Sequence, residues 1–176
     1  MSTLTKPYHH GDLRTALLDA ADALLDRGGD GAVSLRETAR MAGVSPTAAY
    51  RHFADKDALL AALAVRGFQA FAADLGAAVA HGKAPLVDSG RAYVRFALAR
   101  PGRFRLMFGP LLARAEAHPA LLAASRQAFE ALQANAGGRD EAWRRWAMVH
   151  GLAHLILDVA SPQGQDVEAM IDRVIS

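Results

Sequence analysis

The sequence contains no cysteine in 176 residues. That excludes disulfides, thiolate zinc sites and cysteine nucleophiles, and it fits a bacterial-type cytoplasm. Alternating β-branched or aromatic runs are missing too, so no strand is predicted. No uncharged apolar run approaches the roughly 20 residues that span a bilayer, and no membrane partner is expected. Near the start, Asp12, Arg14, Asp19 and Asp22 interrupt the apolar core that a signal peptide would need. A cytoplasmic location is therefore expected. Charge of one sign is scarce: 20 Lys and Arg stand against 18 Asp and Glu, for a net charge of +2. Any phosphate-binding surface must then come from local arrangement rather than global excess. Internal repeats and low-complexity tails are absent.

What is present is helical periodicity, in a chain that is 52% hydrophobic. Leu13, Leu17, Ala20, Leu24 and Leu25 recur at three- and four-residue spacing, predicting an amphipathic helix over about residues 12–27, ended by Gly28-Gly29. Ser34, with Glu37 three residues on, predicts a second helix with a reciprocal cap, each side chain meeting the other's free backbone N–H. Gly43 suits the positive φ of that helix's C-terminal cap. Ser45 caps and Pro46 opens a short third helix running to His52 or Phe53. Asp55 caps a long fourth, continuing through Leu63, Phe68, Phe71 and Leu75 towards Ala80. Residues 81–85 break the pattern. Further helices are predicted over residues 86–99, 102–108, 119–135, 141–160 and 165–175, punctuated by proline, Gly137-Gly138 and Ser161-Pro162. The fold class expected is all-α.

Helix, tight turn and short second helix is an arrangement that places a helix in the DNA major groove. Gly43 permits the turn, Ala39 lets two helices cross closely, and Val44, Ala49 and Phe53 can anchor the short helix. Outward on it stand Ser45, Pro46, Thr47, Ala48, Tyr50, Arg51 and His52. Ser45, Thr47, Tyr50 and His52 can donate to phosphate oxygens, while Thr47 and Ala48 offer methyl groups to a thymine methyl. Ser34, Ser45 and Lys56 mark helix starts, where free N–H groups attract phosphate. Arg36 is the candidate for a guanine contact or a minor-groove insertion. From pattern alone, a three-helix packing element with a solvated face fits the same residues.

The stretch from Tyr8 to Leu63 resembles the DNA-binding domain of TetR-family transcriptional regulators. The resemblance is carried by the A-x-x-A-G-V-S turn at Ala39 to Ser45, the AYRHF ending of the third helix, and the D-K-D-x-L-L start of the fourth. Thr38 departs from it, standing where the family usually has an apolar residue. The resemblance implies that residues 1–56 form a helix-turn-helix DNA-binding domain. A long fourth helix then joins it to a helical effector-binding and dimerisation domain over residues 57–176, and the protein is a homodimer. By motif position, Thr47, Ala48 and Tyr50 face bases, and Ser45, Arg51, His52 and Lys56 touch phosphates. Lys6, Tyr8, His9 and His10 are expected either to add phosphate contacts or to form a frayed end.

Further on, PGRFRLMF (residues 101–108) and WAMVHGLAHLIL (residues 146–157) resemble one C-terminal subtype of the same family. Candidate ligand-lining residues are Tyr93, Phe104, Met107, Phe108, Trp146, His150 and His154, although aromatics at helical spacing read equally as core. His150, His154 and Asp158 share one helix face. A polar stripe in a pocket or interface is expected there; a metal pair is the alternative, and no metal or cofactor is expected. Arg91, Arg95, Arg100, Arg103 and Arg105 read as a solvated face, or alternatively as a site for an acidic effector. The last two helices are expected to form the dimer interface through Ala153, Leu157, Val167, Met170, Ile171 and Val174.

The expected function is sequence-specific DNA binding by a ligand-responsive repressor, a homodimer on a double-stranded, pseudo-palindromic operator, released by a small-molecule effector. No catalytic residues are expected. The alternatives, an all-helical metal-dependent enzyme or a small-molecule binding protein, account for the C-terminal residues only.

Overall fold

A computed structural model of the chain describes residues 10–134, 136–159 and 166–175, with residues 10–12 described in backbone only. Every regular element among them is helical. Two compact units result, one ending at Leu63 and the other beginning at Ala64. Lys6, Tyr8, His9, the side chain of His10 and the Ser161-Pro162 break lie outside the described residues.

In the first unit, α1 (His10–Ala32) loses helical geometry at Gly28 and Gly29, where Gly29 takes φ 65°, and one more turn follows. The predicted stop falls at this break. Helix α2 (Leu35–Met41) starts at Ser34, whose hydroxyl accepts the Glu37 N–H at 3.1 Å. The return half of the expected cap is not formed. Glu37 turns its carboxylate to the Arg40 guanidinium instead, with Arg40 Nε at 2.9 Å. The guanidinium offers the carboxylate two N–H donors and a full positive charge, where the cap offers a single backbone N–H. Gly43, at φ 72°, ends α2: its N–H bonds Arg40 O at 3.2 Å, and the Val44 N–H bonds Ala39 O at 2.9 Å. These paired bonds satisfy the last carbonyls of α2 while reversing the chain direction.

The reversed chain enters α3 (Pro46–His52), capped by the Ser45 hydroxyl accepting from Ala48 N–H at 3.3 Å. Ala39 and Ala49 are both fully buried where α2 and α3 cross. Phe53 is buried as well, and the Arg14 guanidinium lies 5.2 Å from its ring centroid, fastening the end of α3 to α1. Thr38 is fully buried, but its hydroxyl finds no hydrogen-bond partner among the described residues.

Helix α4 (Lys56–His81) begins where the Ala58 N–H bonds Asp55 Oδ1 at 2.7 Å, and it runs from the first unit into the second. Helix α4 is long and apolar enough to cross a membrane, with mean hydropathy 1.4 over 18 residues, although Arg66 interrupts its uncharged run. Half of that window is buried within the protein, as in a core helix.

The second unit continues with α5 (Pro85–Ala99), α6 (Pro101–Met107), a 3₁₀ stretch (Leu112–Ala117) not foreseen in the sequence, α7 (Pro119–Ala134), α8 (Arg139–His154) and α9 (Val167–Ile175). Helix α8 was predicted to run on to residue 160; past His154 it widens into a π-type turn, Leu155–Val159. Helix α5 packs on α8, α6 and α9. Close approach depends on two glycines. A Cβ on Gly67 would meet Met107 Sδ at 2.6 Å, and one on Gly90 would meet Ile175 Cγ2 at 2.8 Å.

The arginine cluster separates into pairs. Arg91 bonds Asp172 at 2.6 Å and Asp88 at 3.1 Å, Arg95 holds Glu168, and Arg105 on α6 holds Asp158 at 2.6 Å. Three of its five cations thus tie α5 to α9 and α6 to the π-type turn, so the cluster is not an open acidic-effector site. The expected dimer seam also divides. Ala153 and Ile171 are fully buried within the chain itself, because α8 and α9 turn that face to α5. Val174 is exposed, together with Leu155 and Val159.

The orphaned Thr38 hydroxyl gives a direct test. Replacing it with an isosteric methyl in Thr38→Val removes an unsatisfied buried polar group, which is expected to stabilise the fold by about 1 kcal/mol. A denaturant melt showing no gain, or a loss, would contradict this assignment.

Candidate functional site

The surface of α3 sorts its residues by face. Ala49 points inward, while Ser45, Pro46, Thr47, Tyr50 and Arg51 are exposed and Ala48 and His52 are half-buried. Tyr50 keeps half of its surface in solvent, although no apolar packing explains an exposed phenol there. Ser34, Arg36 and Lys56 are exposed beside it on the neighbouring helix starts. All ten residues expected to meet DNA are thus accessible at least in part. Arg40, the other cation of this stretch, is engaged by Glu37, and the hydrogen bond between them holds the Glu37 carboxyl below its usual pKa. The free positive charge of the surface therefore rests on Arg36, Arg51 and Lys56. Both cap serines accept from a backbone N–H, which leaves each hydroxyl proton available to an outside acceptor.

In the second unit, a cavity of about 220 Å³ opens between α4, α7, α8 and the 3₁₀ stretch. Phe68 and Phe71 of α4 and Phe108 form one wall, and Trp143 and Trp146 of α8 another. Ser125, Ala128, Phe129 and Leu132 complete it from one face of α7, at the i, i+3, i+4, i+7 spacing that a helix stripe requires. Of the residues expected to line a ligand site, Phe108 and Trp146 do so here. Tyr93, Phe104 and Met107 are fully buried and do not line it, although Tyr93 lines a second, smaller cavity of about 40 Å³. His150 and His154 do not line the larger cavity either. Arg126 and Phe129 were missed, and the only sequence signal for them was the apolar stripe of α7 with an arginine at its edge.

Beneath the cavity, the Trp146 indole N–H donates to Tyr93 Oη at 3.0 Å. The phenol has one proton of its own, and it is aimed at His150 Nδ1, 2.8 Å away. Nδ1 must then be the bare nitrogen, with the His150 proton on Nε2. Burial, and secondarily the neighbouring His154, push the His150 pKa below its ordinary 6.5. Burial likewise raises the pKa of the Tyr93 phenol. The two histidine rings lie 4.7 Å apart, but their roles differ: His154 Nδ1 meets Asp158 Oδ2 at 2.9 Å. His154 and Arg105 together hold the Asp158 carboxyl below its usual pKa, the histidine contributing more. Among the described residues, no group of three or more histidine, aspartate or glutamate side chains is placed to hold a metal ion.

A short helix, anchored on one face and presenting polar groups on the other, set apart from a cavity-bearing helical unit, defines a helix-turn-helix regulator of transcription. Residues 17–63 match the family of bacterial regulatory proteins, tetR family, and residues 86–176 match the tetracyclin repressor-like C-terminal domain. The chain belongs to the TetR family. Among solved structures, a protein with unknown function from Rhodococcus sp. RHA1 is 33% identical, with TM-score 0.81, over 96% of this chain and 94% of that one. A regulatory protein of the tetR family from Rhodococcus RHA1 is 21% identical, with TM-score 0.70 and 93% of each chain covered. The multidrug binding protein EbrR, solved with imidazole, is 22% identical, with TM-score 0.59 over 97% of each chain. The last two show likeness of fold alone. No curated protein matches the chain.

Neutral His150 yields a pH prediction with a definite sign. Its folded-state pKa lies below the ordinary 6.5, so the unfolded chain binds more protons and stability falls with falling pH. The contribution is complete above about pH 6.5 and is lost as pH drops through that value towards the folded-state pKa. Between about pH 8 and about pH 5, the wild type should therefore lose more melting temperature than His150→Asn. The asparagine can still accept from Tyr93 but does not titrate. Equal losses would remove His150 from this role.

Proposed function

We propose that the protein is a homodimeric repressor that binds a pseudo-palindromic operator through α3 and is released by a small molecule held in the second unit. The observation that carries this reading is the division of α3 into an anchored inner face and an accessible outer one. Thr47, Ala48 and Tyr50 meet base edges and nearby backbone, while Ser45, Arg51, His52 and Lys56 grip phosphates. Arg36 adds a base or minor-groove contact. Two copies of α3, about 34 Å apart across a two-fold axis, would address successive turns of one DNA face.

The last two helices supply the dimer contact, with the exposed Leu155, Val159 and Val174 as its apolar material. The effector must bind the DNA-incompetent state more tightly, since a ligand shifts an equilibrium only by its differential affinity. Helix α4, which belongs to both units, is the element that such a ligand would move. Regulation of transcription places this action in the cytoplasm.

Footprinting on the promoter of the protein's own gene tests the reading, followed by binding titrations over a range of salt. Lys56→Ala should weaken binding to all sequences alike and lower the salt slope by about 1 per protomer. Tyr50→Ala should cost about 1–3 kcal/mol at the operator and less on random DNA. Absence of a sequence-specific footprint with dimeric protein, or unchanged affinity in both variants, would overturn the proposal.

A further inference from the structure

The cavity's chemistry is more specific than its shape. Its walls are aromatic: Phe129, Trp143 and Trp146 form a triangle with ring centroids 5.0–5.5 Å apart, and Phe108 stands 6.3 Å from Trp146. Such rings offer both edges and faces to a flat guest at ordinary aromatic packing distances. At about 220 Å³ the space is moderately larger than the roughly 150 Å³ apolar cavity that takes up a benzene ring. One aromatic ring with a short arm fills it.

Polar groups decide what the arm carries. The Trp146 N–H is taken by Tyr93, and the Ser125 hydroxyl proton is given to Leu122 O at 3.0 Å. What remains is a lone pair on Ser125, the indole N–H of Trp143 and the guanidinium of Arg126, the one formal charge among the lining residues. Arg126 has no carboxylate partner among the described residues. Glu130 and Arg139 stand in a shallower groove that shares Arg126 and Phe129 with the cavity mouth. Aromatic walls alone would also suit an organic cation. Arg126 at the wall, with no carboxylate among the lining residues to offset it, turns the preference to an anion.

We infer that the cavity binds an aryl carboxylate, a single aromatic ring on a short chain whose carboxylate meets Arg126. This rests on the reading of the second unit as the effector-binding part. It goes further by naming the ligand class and the residue that selects it. The ring lies among Phe108, Phe129 and the two tryptophans, and the arm points along α7 to the guanidinium. A neutral amide of the same shape keeps the aromatic contacts and loses the ion pair.

Intrinsic fluorescence reads this directly, because both tryptophans of the chain line the cavity. The full-length protein is titrated with 3-phenylpropionate, 3-phenylpropanamide and 3-phenylpropylammonium. The acid should bind at least about tenfold more tightly than either analogue, with a preference that shrinks as salt rises. Arg126→Met should weaken the acid far more than the amide and so erase the difference between them, and Arg126→Lys should retain part of it. An amide or ammonium that binds as well as the acid overturns the inference, as does a silent titration with all three probes. If Arg126→Met does not fold, the ratio of acid to amide in the wild type decides alone. Operator binding by the ligand-free protein is measured on the same preparation. If it persists while the acid shows no preference, this inference alone falls; if it is absent, the reading beneath it falls.

Discussion

A buried phenol must satisfy its hydroxyl, and in the second unit that single requirement orders the surroundings. Tyr93 has no exposed surface, so its oxygen and its proton must both find partners inside. Trp146 supplies the donor and His150 the acceptor. The first bond fixes the indole plane that walls the cavity, and it consumes the only side-chain N–H that Trp146 has. The second fixes the His150 tautomer, while burial and the neighbouring His154 push its pKa down. Edge-to-face packing of Tyr93 on Phe71, with ring centroids 5.0 Å apart, then joins this network to α4. One polar group of the cavity wall, the Trp146 indole N–H, is thus turned away from the space by a hydrogen bond.

The first unit depends on a different constraint. Helices α2 and α3 are each seven residues long, too short to persist alone. Gly43, Ala39 and Ala49 allow them to brace one another. The same crossing faces Ala49 inward, so the outward reading surface is narrower than the paired alanines in the sequence suggest. Under the proposed reading, few groups on α3 can discriminate bases, and much of the affinity comes from phosphate contacts that respond to salt.

Helix starts and stops were legible because capping is local. Ser34, Ser45, Asp55 and Gly43 act on residues within one turn of themselves, and each does what its position implies. The exposed face of α3 was legible for the same reason, since periodicity alone separates Ala49 from Tyr50. The fate of Glu37 was not, because the cap competes with Arg40 and only geometry decides between them. Nor was the cavity. A stripe such as Ser125, Ala128, Phe129 and Leu132 looks the same whether it meets a packed core or an opening, and nothing local separates the buried Phe104 and Met107 from Phe108, which lines the cavity. The π-type turn after His154 and the pairing of Arg91, Arg95 and Arg105 with distant carboxylates are products of tertiary contact, without a local signal.

The central claim is that occupancy of the cavity opposes DNA binding. The most direct measurement fills it without any ligand. Ala128 is buried at the wall, and Ala128→Phe would place a ring in the space. The account predicts operator affinity lowered by about 5–150-fold, the usual span of coupling between two sites, in a dimer that melts at or above the wild-type temperature. Unchanged operator affinity in such a stably folded, filled dimer would contradict it.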